Sequence, residues 1–252
     1  MNHFTQRMTG KLHFLLSIGC LCLLFGCSSD GRTNIKTYNL PLHELQDGLA
    51  YEYRAVDNEQ LPPYYWYYRS LKQEESIYLT GLYYNHEFIP QQFVREEQVD
   101  NGMVLQEMFV YETNSEDLQD QVDVTVLQGA TFPFEVTDSL GAFVYNVNWY
   151  SSKDSMTYNV VRNRRYLGKT AYIYKEKEYP AVRFRVRELI ETEQIGFLSI
   201  ELTGEEIYAQ GIGLVYTSKE AVDGSFEQAY ALYDRYPMTE LEAKFGASLK
   251  EE

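Results

Sequence analysis

The chain has 252 residues with 22 basic and 37 acidic side chains, a formal charge of −15. That surplus repels nucleic-acid phosphates, and no long basic tract offsets it, so nucleic acid is excluded as a partner. The length fits one domain of about 200–225 residues, and its 23 Tyr and 13 Phe are of the kind that favours pleated, half-buried surfaces.

Residues 1–11 carry Arg7 and Lys11 and no acid, and an apolar run beginning near Leu12 follows. It is shorter than the roughly 20 residues that cross a bilayer, and it closes on Leu24-Phe25-Gly26-Cys27. This stretch resembles a bacterial lipobox. The resemblance implies cleavage between Gly26 and Cys27 and acylation of Cys27. A plain secretory signal, or a short anchor that is never cut, is the alternative reading. The other cysteines are Cys20 and Cys22, so the mature chain has no disulfide available. It keeps 20 basic and 37 acidic residues, a charge of −17. Acyl chains contribute about 0.8 kcal/mol per buried methylene, which makes attachment nearly permanent and a second membrane-binding element unnecessary. The expected division is a signal peptide over 1–26, a lipidated linker over 27–39 and an antiparallel β domain over 40–252. The polar stretch 28–39 would reach about 40 Å if fully extended.

Leu49–Ala55 alternates, with Leu49, Tyr51 and Tyr53 on one face and Glu52 and Arg54 on the other, as a strand does. Pro62-Pro63 breaks the chain before Tyr64-Tyr65-Trp66-Tyr67-Tyr68, which would carry aromatics on both faces. Ser76–Tyr84 is a further strand in which Gly81 marks a bulge or kink. Residues 93–99 and 103–112 flank Asp100-Asn101-Gly102, where Asn-Gly suits the positive-φ positions of a type I′ turn. Val122, Val124 and Val126 give a strand ending at Gly129. Phe143, Tyr145, Val147 and Trp149 share the next apolar face, 151–155 turns it, and 156–162 returns. Strands at 169–178 and 181–189 join near Tyr179-Pro180, and 197–202 and 206–216 follow. Residues 225–233 suit a strand or a short helix, and 239–245 suits a helical turn capped by Thr239, with Leu241 and Phe245 on one side. Roughly a dozen short strands with little helical periodicity predict an all-β meander, a single curved sheet or open barrel.

Reactive constellations are scarce. The mature chain has only His43 and His86, no Gly-x-Ser-x-Gly elbow, and no metal-ligand spacing. No catalytic residue, metal or cofactor is assigned, and the expectation is a non-enzyme. Gly211-Ile212-Gly213 is too short for a phosphate loop and reads as a bulge or close backbone crossing. Nine basic residues between Arg162 and Arg187 face only Glu176 and Glu178. Within this stretch, period 2 puts Val182, Phe184 and Val186 inward and Arg183, Arg185 and Arg187 outward. The arginine row is either an anion-facing patch or, as preferred, neutralised across strands by Tyr172, Tyr174, Glu176, Ser199 and Glu201. Tyr64, Trp66 and Tyr68 are likewise candidates for a ligand surface, with core packing the favoured alternative.

The stretch from Glu206 to Tyr216, EIYAQGIGLVY, with the strand pair before it, resembles uncharacterised Bacteroidota lipoproteins of the TapB-like and DUF3108-like families over about residues 140–220. The resemblance implies a curved antiparallel sheet, related to carriers of lipids or lipoproteins, and brings no catalytic residues. The expectation is an outer-membrane lipoprotein held by lipid on Cys27, its leaflet face undecided. It would act as a binding or envelope-assembly component with a protein, lipid or glycan partner. A hydrophobic-ligand carrier and a surface glycan-binding protein are the alternatives.

Overall fold

The computed structural model describes residues 31–248, apart from 57, 59, 115–117, 138–140 and 194–195. Leu24, Gly26 and Cys27 therefore lie outside the described residues. The chain from Arg32 onward forms one compact unit. Its strands are β1 (Arg32–Asn34), β2 (Leu49–Ala55), β3 (Tyr64–Gln73), β4 (Ser76–Tyr84), β5 (Pro90–Val99), β6 (Gly102–Thr113), β7 (Gln119–Asp123), β8 (Thr125–Pro133), β9 (Glu135–Thr137) and β10 (Ala142–Ser151). They continue with β11 (Met156–Tyr174), β12 (Lys177–Glu193), β13 (Phe197–Ala209), β14 (Gly213–Ala221) and β15 (Glu227–Tyr236), and the helix α1 (Met238–Ser248) follows.

The all-β meander is present, and it closes on itself. Consecutive strands pair antiparallel from β2 to β6 and from β10 to β15, β8 joins β6 to β10, and β15 returns to β2. β7 and β8 occupy one position, because both pair with the same edge of β6, at Phe109–Thr113 and Gly102–Val104 respectively. The result is a twelve-position barrel, whose closure through the β5–β6 pairing joins the two ends of the sheet.

Hairpin turns at 74–75, 100–101, 175–176 and 210–212 gather at one end, and the entering chain covers it. β1 pairs with β9 there. Ile35 and Leu45 are fully buried, and Ile35, Tyr38 and Leu45 pack into the core with Tyr51, Phe132, Phe184 and Ile212. Residues 32–39 are thus part of the domain and not a linker. Their ordering comes from a distant strand and two apolar anchors, which local composition does not show. The Phe184 ring meets those of Phe132, Tyr166 and Tyr208 edge-on at 5.9, 5.7 and 5.7 Å, contacts worth about 0.5–1.5 kcal/mol each beyond their burial.

α1 packs outside the barrel on β2–β4, inserting Leu241 and Phe245 against Tyr65, Tyr84 and Phe88. It covers Glu52, whose carboxylate accepts from Tyr236 Oη at 2.7 Å and Lys244 Nζ at 3.0 Å. The outward face of β2 is therefore buried here.

Several boundaries differ from those predicted. β11 is one strand across 163–168, absorbing a register shift at Gly168, where φ is +128°. It turns at Lys175-Glu176, both at positive φ, so Pro180 sits inside β12 opposite Ala171. Neither Lys nor Glu signals such a turn. Tyr172 and Tyr174 accordingly join the core instead of facing the arginine row. The β5–β6 turn is Asp100-Asn101, with neither Asn101 nor Gly102 at positive φ. Gly102 is a strand residue whose added Cβ would meet Phe132 O at 2.5 Å. Gly129 is interior to β8, and Gly81 holds regular register opposite Tyr68, whose ring takes the space of a side chain. Residues 206–216 are split between β13 and β14 by a turn, Gly211 at φ +73° and Gly213 at φ +96°.

Candidate functional site

The alternation of each strand decides what faces the lumen. On β3 it sends Tyr65 and Tyr67 outward beneath α1 and Tyr64, Trp66 and Tyr68 inward. Trp66 and Tyr68 stack with rings 2° from parallel, and Tyr64 stacks on Tyr53 at 4.9 Å. These three line a lumenal cavity of about 570 Å³, within the roughly 300–1,000 Å³ of small-molecule sites.

A second wall is apolar. Val94 and Val110 pack with Trp149 and Ile190 around Met108 and Val160, and these side chains face the same cavity.

The third wall is ionic. The phase that sets Val160 inward on β11 also sets Arg162 and Arg164 inward, and Glu188 follows Val186 on β12. Glu206 stands opposite Phe184 on β13, and Lys219 comes from β14. Arg162 Nη2 and Arg164 Nε donate to the two oxygens of Glu206, the second at 2.7 Å, and Tyr208 Oη donates at 2.8 Å. Arg164 also donates to Thr131 O at 3.1 Å. Glu188 accepts from Lys219 Nζ at 2.8 Å and lies 3.6 Å from Arg162 Nη1.

Burial alone would raise the Glu206 carboxyl, but Arg164 and Arg162 outweigh it and hold it at about 2. Burial likewise opposes ionisation of Glu188, and Arg162 and Lys219 overcome it. Burial, then the Arg162 charge, lowers Lys219. Glu96, beside Thr131 Oγ1 at 2.9 Å, is raised by burial. Tyr64 and Tyr145 are raised by burial too, and both feel the Arg162 charge.

Arg183, Arg185 and Arg187 lie on the outer face of β12, across the wall from the aromatic set. The two groups of predicted candidates are not brought together. Arg187 Nε meets Glu201 at 2.6 Å, and Arg183 lies 3.8 Å from Glu205. Sequence reasoning missed Arg162, Arg164, Glu188, Glu206 and Lys219. The signal was available: a charged residue on the inward phase of an alternating strand, once β11 is carried past Arg162.

A second cavity, about 890 Å³, lies beside the entering chain against Ser70, Lys72 and Ile77. It holds no buried ionic cluster, so the lumen is the better site. Among the described residues no three His, Cys, Asp or Glu side chains are grouped to hold a metal ion.

Fold and interior together define a closed antiparallel barrel with a ligand-sized, partly charged lumen. Two solved structures are similar to it. One is a candidate lipoprotein from Parabacteroides distasonis, 12% identical, with a TM-score of 0.53 over 79% of this chain and 98% of that one. The other is a candidate exported protein with a YmcC-like fold from Bacteroides fragilis, 10% identical, with a TM-score of 0.51 over 76% of this chain and 96% of that one. The likeness is one of fold. No family model and no curated protein matches the chain, and so neither family that the Glu206–Tyr216 stretch resembles is matched.

Proposed function

We propose that this chain is a non-enzymatic lipoprotein of the outer membrane, attached through lipid on Cys27, that carries a hydrophobic ligand in its barrel. The observation that carries this reading is the lumenal cavity of about 570 Å³, walled on two sides by aromatic and aliphatic side chains. A scaffold for envelope assembly has no need of such a space, whereas a carrier does. The similar structures, described as a candidate lipoprotein and a candidate exported protein, support the envelope address. Tyr64, Trp66 and Tyr68 face inward, which argues against their use as a surface sugar platform.

Residues 1–27 lie outside the compact unit that begins at Arg32, so ligand can be sought without detergent in a form lacking them. Mass spectrometry of organic extracts from that form, exported and purified, should show a co-purifying amphiphile in near-stoichiometric amount. A clean extract counts against the carrier. Fatty-acid labelling of the full chain should be lost in Cys27→Ala, and equal labelling of the two would remove the anchor.

A further inference from the structure

In the ion pairs of the ionic wall, cations outnumber carboxylates. Arg162, Arg164 and Lys219 face two carboxylates, Glu188 and Glu206, in ion pairs. Glu96 adds a third carboxyl, raised by burial, but it bonds to Thr131 and makes no ion pair with these cations.

Donor capacity shows the same surplus. Arg164 spends a donor from each of its three nitrogens, on Glu206 and on Thr131 O. Arg162 has no partner for Nε. Lys219, with a side chain 29% exposed, spends one donor on Glu188 and has three to give. Among the described residues no side chain or backbone group bonds the hydroxyls of Tyr64 and Tyr145, and both feel the Arg162 charge. A buried cation with unmet donors is costly unless an anion meets it. Beside it runs the apolar strip of Val94, Met108, Val110, Trp149 and Ile190.

We propose that the lumen takes a single-chain amphiphile with an anionic head, a carboxylate or a phosphate. The head sits against Arg162 and Lys219, and the hydrocarbon lies along the apolar strip. This rests on the carrier reading and names its cargo. A neutral lipid would bring no anion to the unmet donors of Arg162 and Lys219, and a cationic one would add like charge.

The test is calorimetric titration of the form lacking residues 1–27 with four probes, each below its micelle-forming or solubility limit: dodecanoate, dodecyl phosphate, dodecanol and dodecyltrimethylammonium. Either anion should bind at least tenfold more tightly than dodecanol, with the cation weakest; the ratio of the two anions assigns carboxylate or phosphate. Lys219→Gln, near the rim, should weaken the preferred anion at least fivefold and leave dodecanol unchanged, and Arg162→Gln should do the same. If Arg162→Gln fails to fold, Lys219→Gln decides alone. Dodecanol or the cation binding as tightly as the anions overturns the anionic head while leaving a carrier, as does an unchanged anion affinity in Lys219→Gln. Binding of none overturns the inference as well. A clean organic extract then removes the carrier reading too, whereas a neutral lipid in the extract preserves it.

Discussion

Replacing Glu206 by Gln removes the anion on which Arg162, Arg164 and Tyr208 converge. The side chain is 2% exposed, so water does not screen the loss. The fall of its carboxyl from 4.5 to about 2 corresponds to about 3 kcal/mol at neutral pH. Breaking one side of a buried pair costs about 3–5 kcal/mol, because the remaining charge stays buried. The barrel carries its own control on the outer wall, where Arg187 meets Glu201 at 2.6 Å with its side chain 65% exposed. An exposed pair of similar geometry contributes less than about 1 kcal/mol. Urea unfolding followed by circular dichroism separates the two. With a slope of about 3 kcal/mol per molar urea, Glu206→Gln should lower the midpoint by more than about 1 M and Arg187→Ala by less than about 0.4 M. Equal shifts, or a small shift for Glu206→Gln, would refute the view that burial makes the inner belt structural.

The same belt sets acid behaviour. Glu206 and Glu188 have folded values below their unfolded ones, so their contribution is full above about 4.5 and disappears as the pH falls toward about 2. Near-UV circular dichroism should therefore show the barrel intact at pH 5 and unfolding below 4.5; loss of the signal above pH 5 would contradict this. Gly204→Ala would place a Cβ 1.9 Å from Ser218 O on the neighbouring strand. It should cost about 1–3 kcal/mol, so a wild-type melting temperature would show that β13 and β14 are not so closely apposed. Leu241→Ala removes the fully buried anchor of α1 and should cost about 2–5 kcal/mol. Amide exchange should quicken across 238–248, leaving β10–β12 protected; uniform change would argue against a separately docked helix.

Where one strand has one buried face, the sequence was legible. Phe143, Tyr145, Val147 and Trp149 on β10, Val182, Phe184 and Val186 on β12, and the Leu241/Phe245 pair of α1 all follow from period 2 or 3.6. What could not be read was non-local. Closure of the barrel depends on β15 meeting β2, and the ordering of Ile35 and Tyr38 depends on β9 and on the far end of β13. Turn chemistry misled at Lys175-Glu176, since positive φ at two charged residues carries no sequence signature. The ionic wall stayed hidden for the same reason. Ending a strand at Arg162 leaves Arg162 and Arg164 in a basic surface run, whereas extending it to Tyr174 places both inside, opposite glutamates from β12 and β13.

Both tryptophans of the chain, Trp66 on β3 and Trp149 on β10, line the lumenal cavity, which makes occupancy directly visible. Titrating the form lacking residues 1–27 with a dibrominated stearate, whose heavy atoms quench indole on contact, is the most direct test of the carrier account. It predicts saturable quenching at one equivalent, retained in part by Trp66→Phe and by Trp149→Phe alone. Emission that stays constant through saturating brominated fatty acid would contradict a lumen built to hold an acyl chain.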